Sequence, residues 1–428
     1  MTKRSKNLFV LYLAILACIV YLSGCGGGVA DSGSSSSSSG STTTVTTTTS
    51  TSDNSTSSST TTTSVASSTT TTTIPPPLDN LTSSSSSSST TTTTTATPTV
   101  SSLTDPNYSS CTTVDFRGIK YDSFKYYNFI IVGDAEYCSA TDSNNVTYYF
   151  YNKTILTSTD AVNWRFKAAR TNTYGSIDYG YGTSLYGVAY GATPSYIAVG
   201  MRGSLIYSDD STSWSYINGD DNTTVFYGVA YAGNTYVAVG ANGVIKTVTS
   251  NGIPNYVTNY SNWTTANVAG WTPQNLYRIA YDNATSTFFA VGESGTLLKS
   301  TNGTNWSYTF MGSISNPLAL YDIVRGDNYT GFVKYVMVGE AGTIYSSTDG
   351  NTWTSRNSGT TANLNGVAYG NNEFYVVGAS GTLLHSYNGE IWDNRTSGTT
   401  HTLFQIAYGS GNFVAVGEYG TVVAMPRP

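Results

Sequence analysis

The sequence is poor in charged residues, which make up 10% of its 428 positions, and acidic residues outnumber basic ones to give a formal net charge of −6. Because acidic residues are in excess, we expect no basic patch of the kind that binds a nucleic-acid backbone, and therefore no nucleic-acid partner. Only two histidines and four cysteines are present. No P-loop, nucleophile elbow or zinc motif occurs, and we therefore expect neither a metal ion nor a cofactor.

The chain also lacks an apolar run long enough to cross a membrane. Its longest run, residues 8–21, holds 14 residues, whereas a spanning helix needs about 20. Three basic residues precede the run, which is the pattern of an export signal, and their removal with that signal would take the formal charge to −9. The run is followed by Leu22-Ser23-Gly24-Cys25.

This tetrapeptide resembles the lipobox of bacterial lipoproteins. The resemblance implies that residues 1–24 are a signal peptide, that Cys25 is acylated, and that the protein is bound to a membrane of the bacterial cell envelope, at the outer membrane or cell surface. Acyl chains of this kind hold a protein on a membrane without crossing it.

A long spacer is expected to follow the lipid. From about residue 31 to residue 104 the chain is nearly all Ser and Thr, and it has almost no apolar surface to offset the entropy of ordering. Treated as a flexible coil, such a segment reaches roughly 50 Å. We assign residues 25–104 to the lipidated cysteine and this disordered spacer, and residues 105–428 to a folded domain.

The whole chain contains 42 Gly and 35 Tyr residues, and a module recurs seven times within the folded domain. Each copy has a Val-Gly that ends one apolar run, then a short β-branched run, and in most copies a Ser-x-(Asp/Asn)-x-x-x-Trp motif. The glycines of the seven Val-Gly pairs are Gly133, Gly200, Gly240, Gly292, Gly339, Gly378 and Gly417. A period of about 40 residues with several strands per unit predicts an all-β fold, a seven-bladed β-propeller.

Within each unit we predict four strands, A to D. Strand A alternates small and large residues, as in Leu185 to Tyr190, so the large face of one blade can pack on the small face of the next. The last copy lacks a strand D. We expect a strand at about residues 107–114 to supply it and to join the two ends of the ring. Cys111 and Cys138 are the two cysteines left in this exported domain, and a disulfide between them is the default expectation.

The Ser-x-(Asp/Asn)-x-x-x-Trp motif has a local physical reason, since an Asp or Asn side chain in a tight turn accepts backbone N–H bonds. Its members are Ser158, Asp160 and Trp164; Ser208, Asp210 and Trp214; Ser300, Asn302 and Trp306; Ser347, Asp349 and Trp353; and Ser386, Asn388 and Trp392. The motif resembles the Asp-box (BNR) repeat of sialidases. The fuller pattern at residues 338–353 looks like that of the photosystem II assembly and stability factor propellers. The resemblance implies that these residues are structural and face away from the functional face.

Two functions from different classes are compatible with the sequence. Sialidases carry an Arg-Ile-Pro motif and a cluster of three arginines, whereas this chain has Arg117-Gly118-Ile119 and scattered arginines. We expect a monomeric, non-enzymatic module that binds a protein or a glycan at the propeller face. The alternative is a surface glycoside hydrolase that uses two carboxylates about 5–10 Å apart, and a purely structural envelope component is a third option.

Two sets of residues are candidates for the binding face. The residue after each Val-Gly is acidic in four copies, and these acids would form a partial ring: Asp134, Glu293, Glu340 and Glu418. Solvated turn carboxylates are the alternative interpretation. In strand A, a position that is Gly in four copies becomes Arg278, Asp322 and Gln405 in the others, near the predicted channel mouth; a structural Arg–Asp pair is the alternative there.

Overall fold

The structure, a computed structural model, describes residues 99–102, 114–123, 125–141, 147–167, 183–192, 194–217, 223–250, 256–312, 317–327 and 331–425. The predicted signal peptide, Cys25, Cys111 and the predicted spacer before residue 99 lie outside the described residues, and Cys138 is described by its backbone alone. The disulfide therefore stays a prediction. No helix in the described part of the chain is long and apolar enough to cross a membrane.

Seven antiparallel sheets of four strands form the domain, one for each copy of the repeat, and we call them blades 1 to 7. Strands A are Phe116–Tyr121, Leu185–Tyr190, Phe226–Ala232, Leu276–Asp282, Leu320–Asp327, Leu364–Gly370 and Leu403–Gly409. Strands B are Phe129–Gly133, Tyr196–Gly200, Thr235–Gly240, Thr287–Gly292, Val333–Gly339, Glu373–Gly378 and Asn412–Gly417. Strands C are Ile155–Ser158, Leu205–Ser208, Ile245–Thr249, Thr296–Ser300, Ile344–Ser347, Leu383–Ser386 and Thr421–Met425. Strands D are Arg165–Phe166, Ser215–Tyr216, Thr264–Thr265, Ser307–Phe310, Thr354–Arg356 and Asp393–Arg395 in blades 1 to 6, and Thr99–Ser102 in blade 7.

The seven A strands surround a central channel. Each of them contacts the A strand of the blade before and the blade after, and the A strand of blade 7 contacts that of blade 1, so the ring is closed. Every marker glycine is the last residue of its strand B. The predicted seven-bladed, all-β propeller is therefore confirmed.

The ring is closed by a strand from the N-terminal side, as expected, but the predicted position of that strand was wrong. Thr99–Ser102, and not a segment at 107–114, pairs with the last strand of the chain, with Thr99 opposite Ala424 and Ser102 opposite Thr421. The strand lies inside the Thr-rich segment that the sequence assigned to the spacer. Backbone pairing needs only free N–H and C=O groups, and a Thr-rich segment supplies them as well as an apolar one.

The core is divided among the interfaces between blades. Seven clusters of buried apolar residues occur in the described part of the chain, and each combines side chains of two neighbouring blades. Val188 packs towards blade 1, while Ala189 packs towards blade 3. Gly187 lies so close to blade 3 that a Cβ would be 3.1 Å from the Cα of Gly228. Large and small faces therefore meet as the alternation predicted.

Turns of two kinds set the upper and lower faces of the ring. Strands B end on the face that we call upper, where in six blades a one-turn 3₁₀ helix leads to strand C: Met201–Gly203, Ala241–Gly243, Glu293–Gly295, Glu340–Gly342, Ala379–Gly381 and Glu418–Gly420. Blade 1 has a two-stranded hairpin there instead, Glu136–Thr141 and Thr147–Asn152. The C–D hairpins lie on the opposite, lower face; that of blade 3 contains the 3₁₀ turn Tyr260–Asn262.

Candidate binding site at the channel mouth

Each strand A carries a β-bulge near its start, at the upper face. In blade 4, Leu276 pairs with Gly292 and Arg278 with Val291, so Tyr277 between them has no partner in strand B. The same shift occurs in all seven blades. A bulge of this kind re-aims a side chain. The seven bulged residues, which together we call the mouth, are Arg117, Tyr186, Tyr227, Tyr277, Tyr321, Asn365 and Phe404, and all of them are half-buried.

Four tyrosines of the mouth form a continuous arc over blades 2 to 5. The ring centroids are 5.6 Å apart between Tyr186 and Tyr227, 5.7 Å between Tyr227 and Tyr277, and 5.4 Å between Tyr277 and Tyr321. Tilted contacts at these distances are the favourable geometry for aromatic pairs. The arc is thus held in place by its own packing, with one part of each ring left accessible.

The tyrosine hydroxyls stay protonated at neutral pH. Burial, and after it the charge of Glu293, raises the pKa of Tyr277, and burial followed by the charge of Glu340 raises that of Tyr321. A neutral phenol both donates and accepts hydrogen bonds. The arc therefore offers apolar ring surface and hydrogen-bonding groups to the same ligand.

The rest of the mouth is held by polar contacts. The Arg117 guanidinium lies over the Phe404 ring, 4.5 Å from its centroid. It donates from Nη2 to Asp115 and Asp134, at 2.8 Å in both cases. The Asn365 amide donates to the backbone carbonyl of Leu403 at 2.9 Å. Arg117 is thus neutralised by two carboxylates and acts as a wall of the mouth.

The mouth opens into a cavity of about 340 Å³. Its lining consists of the seven bulged residues and one further side chain, that of Arg278. The volume lies in the range of sites that take a small molecule or a side chain. No Asp or Glu lines this cavity, so the carboxylate pair that a glycosidase requires does not occur in it. No group of three or more potential metal ligands is found among the described residues.

The four acids predicted to form a ring do lie at the upper face, but each is engaged with its own blade. Glu340 Oε2 accepts from the backbone N–H of Ala319 at 3.1 Å, and Glu418 Oε2 accepts from that of Thr402 at 2.8 Å. Glu293 makes the equivalent, longer contact at 3.4 Å. Asp134 pairs with Arg117. The three Glu contacts fasten their B–C turns to the loop before strand A, and a role of the four acids in binding remains a prediction.

The second predicted set lies deeper, between strands A. Asp322 is buried and accepts from the backbone N–H of Val367 in the next blade at 3.1 Å, and Gln405 accepts in the same way from Ile119 at 2.8 Å. Arg278 Nε lies 3.7 Å from Asp322 Oδ1. The predicted Arg–Asp pair is thus present. Of the three residues, only Arg278 also reaches the cavity.

The Ser-x-(Asp/Asn) hairpins lie on the lower face, away from this cavity. In blade 5, Asp349 Oδ1 accepts from the backbone N–H groups of Asn351 at 2.8 Å and Thr352 at 2.7 Å, and from Ser347 Oγ at 2.8 Å. Equivalent bonds occur in blades 1, 2, 4 and 6. Their hydrogen bonds close the turns in which they stand.

The sequence reasoning missed the mouth itself. It singled out the residue that follows the bulge and not the bulged residue, because alternation along a strand assumes an unbroken register. A signal was nevertheless present. In five of the seven copies an aromatic residue stands directly between a buried Leu or Phe and the position occupied by Gly118 and its equivalents.

No protein-family profile and no curated protein matches the chain. Solved structures match its fold. A structure of YCF48 bound to D1 peptide superposes with a TM-score of 0.55 at 16% identity, over 78% of this chain and 96% of that chain. YCF48 from Cyanidioschyzon merolae gives 0.50 at 13% identity, over 76% and 98%. The WD40 β-propeller domain of Doa1 gives 0.50 at 11% identity, over 75% and 97%. At these identities the likeness establishes the propeller fold.

Proposed function

We propose that the chain is a non-enzymatic, lipid-anchored binding module of the bacterial cell envelope, whose mouth holds a segment of a partner protein. The arc of four half-buried tyrosines around a cavity is the observation that carries this proposal. Tyrosine is enriched in protein interfaces because it combines a large apolar surface with a polar tip and few rotatable bonds. In this proposal the lipid on Cys25 and the spacer hold the propeller at the membrane with its mouth accessible.

Two further observations support a protein partner. The similar propeller YCF48, a photosystem II assembly factor, was solved bound to a D1 peptide, so a propeller of this architecture can hold a peptide. The cavity also has the size of one or two side chains and is open to the upper face. A segment that inserts a side chain there and runs across the tyrosines would bury the ring surface that is now accessible.

The proposal is tested by capture of envelope proteins from the source cells on the mature chain, by cross-linking and mass spectrometry. We expect the double variant Tyr227→Ala/Tyr277→Ala to capture its partner at least tenfold less, about 1.4 kcal/mol, because both rings lose their contact surface. The matched control is Tyr387→Ala, since Tyr387 is 70% exposed and lies on the lower face. The double variant should unfold at a lower temperature than the other two proteins, because all three ring contacts of the arc are lost, so capture is measured well below its unfolding temperature.

Equal capture by all three proteins would reject the mouth as the binding site. Applying the same proteins to a glycan array distinguishes a protein partner from a glycan partner. Glycan binding that depends on the two tyrosines, without capture of a protein, would replace the protein partner by a glycan.

A further inference from the structure

Below the mouth, charged side chains on the A strands of three blades lie within electrostatic range of one another; we call them the neck. Arg278 of blade 4 pairs with Asp322 of blade 5, and Lys120 of blade 1 lies across the ring within electrostatic range of both. Lys120 is exposed, and desolvation of its charge lowers its pKa. The neck therefore holds two cations and one carboxylate in a confined space.

Arg278 is incompletely paired. Its Nε is buried without a hydrogen-bond acceptor among the described residues, and the nearest carboxylate oxygen is 3.7 Å away. Asp322 cannot approach more closely without loss of its own bonds, since Oδ1 accepts from the backbone N–H of Ile323 at 2.9 Å and Oδ2 from that of Val367. A guanidinium carries five N–H groups, and a buried one without acceptors is costly.

Arg117 provides a contrast at the same cavity. Its guanidinium has two carboxylates at 2.8 Å and an aromatic ring beneath it. Two arginines thus line one cavity; Arg117 is paired with two carboxylates, whereas Arg278 has a buried Nε without an acceptor.

The excess of one positive charge has an electrostatic consequence. Burial lowers the pKa of Arg278, and burial followed by the charge of Arg278 lowers that of Lys120. Both pKa values are lowered, so the charged forms of Arg278 and Lys120 are destabilised in the protein. A second anion would stabilise them, because charges interact more strongly inside protein than in water.

We infer that the neck binds one carboxylate group of the ligand that occupies the mouth, with Arg278 as its hydrogen-bond donor and Lys120 as the second cation. The inference rests on the proposed function, in that the tyrosines contact the rest of the ligand. A guanidinium and a carboxylate match in shape and can form two parallel hydrogen bonds. The group can come from an acidic side chain of a peptide or from a free small acid, and these two sources are separated by experiment.

The experiment uses two probes of matched shape and the mature chain. 4-Fluorobenzoate and 4-fluorobenzamide, which differ in charge and not in size, are titrated and followed by fluorine NMR. A blocked Gly-Asp-Gly tripeptide and its Gly-Asn-Gly twin, followed by protein-observed NMR, form the second arm. We expect at least tenfold tighter binding of the acid than of its amide in one arm or both. Preference in the tripeptide arm alone assigns the carboxylate to a peptide side chain, and preference in the benzoate arm alone assigns it to a small acid.

Variants then identify the residues. Arg278→Gln should weaken binding of the preferred acid at least tenfold, whereas Asp322→Asn should tighten it, because the like charge is removed. If the Arg278–Asp322 pair had only a structural role, the two variants would not change acid binding in opposite directions. Arg165→Gln is the matched control, since Arg165 is exposed on the outermost strand of blade 1 and should have no effect.

Two results would overturn the inference. The first is an absence of preference for acid over amide in both arms, which is measured on the unaltered protein and does not depend on the folding of any variant. The second is acid binding that Arg278→Gln leaves unchanged. If partner capture still depends on Tyr227 and Tyr277, the proposed function stands in either case. If partner capture does not depend on these tyrosines while the preference for acid over amide is retained, only the proposed function is rejected.

Discussion

The upper and lower faces of the propeller are both built from a repeated turn, but they use polar side chains in opposite ways. On the lower face the Asp or Asn of each described Ser-x-(Asp/Asn) hairpin bonds to backbone N–H groups two and three residues later, as Asp349 does. On the upper face the bulged residue is Tyr in blades 2 to 5 and Arg, Asn or Phe in the other three, and all seven line a shared cavity. Hydrogen bonds to the backbone of the same turn therefore mark the polar residues that build a blade, whereas side chains left accessible at a shared cavity mark those that can recognise a ligand.

The upper face itself contains both kinds of position side by side. The residue before each bulge pairs with the marker glycine at the end of strand B, as Leu276 does with Gly292. The glycine is the same in all seven copies, while the neighbouring bulged residue takes four different identities. This juxtaposition explains why a strongly repetitive stretch can still carry a binding site.

The largest effect is expected where the framework is broken on the upper face. In Gly339→Ala the new Cβ would lie 2.1 Å from the backbone carbonyl oxygen of Ala319, and neither strand end can move without a shift of the turn. We expect a loss of about 1–3 kcal/mol in the free energy of unfolding, measured by denaturant titration. The control in the same turn is Ala341→Gly, which should be neutral or stabilising because Ala341 has a φ of 52°. Equal stability of wild type and Gly339→Ala would remove the distinction between the two kinds of position.

A smaller effect is expected on the lower face. Asp349→Ala deletes the acceptor of two backbone N–H groups, and by analogy with other turn and cap positions it should cost about 1 kcal/mol. Asp349→Asn keeps the acceptor and should cost far less, since Asn302 and Asn388 already fill the same role in blades 4 and 6. Denaturant titration measures stability, and partner capture should be unchanged in both variants. Weaker capture by Asp349→Ala at unchanged stability would show that the lower face takes part in recognition.

Much of the architecture could be predicted from the sequence because it depends on local pattern. Each Val-Gly pair stands at the end of a strand B, since a Cβ at the glycine would strike the loop before strand A. The alternation of small and large residues around Gly187 predicted which face meets which neighbour. These features follow from side-chain size and from the period of a strand.

The parts that could not be predicted depend on the backbone. A bulge shifts the register by one residue without changing the composition, so Tyr277 reads as an ordinary strand residue. The closing strand Thr99–Ser102 pairs through its backbone and lies in a segment whose composition is that of a spacer. Glu340 stands at an exposed turn in the sequence, but its partner is the backbone N–H of Ala319, which no residue type reveals.

The smallest effect is expected on stability at low pH, and it would distinguish the Asp hairpins of the lower face from its Asn hairpins. Backbone hydrogen bonds, from Asn163 to Asp160 and from Thr352 to Asp349, hold the pKa of each carboxyl well below its ordinary value. A carboxyl whose pKa is lower in the folded than in the unfolded state contributes stability above its ordinary pKa of about 4 and loses it as the pH falls below that value. Both groups are exposed, so screening by solvent keeps the contribution small.

The variant Asp160→Asn/Asp349→Asn should therefore lose less stability than wild type between pH 6 and pH 3, measured as the shift of the denaturant midpoint. Its two altered hairpins would then match those of Asn302 and Asn388, whose bonds to the backbone do not depend on a charge. Parallel pH profiles for the two proteins would mean that the acid sensitivity comes from carboxylates other than Asp160 and Asp349, such as Asp210 in the hairpin of blade 2, whose pKa is lowered by hydrogen bonds from Ser213 and Thr212 despite its partial burial.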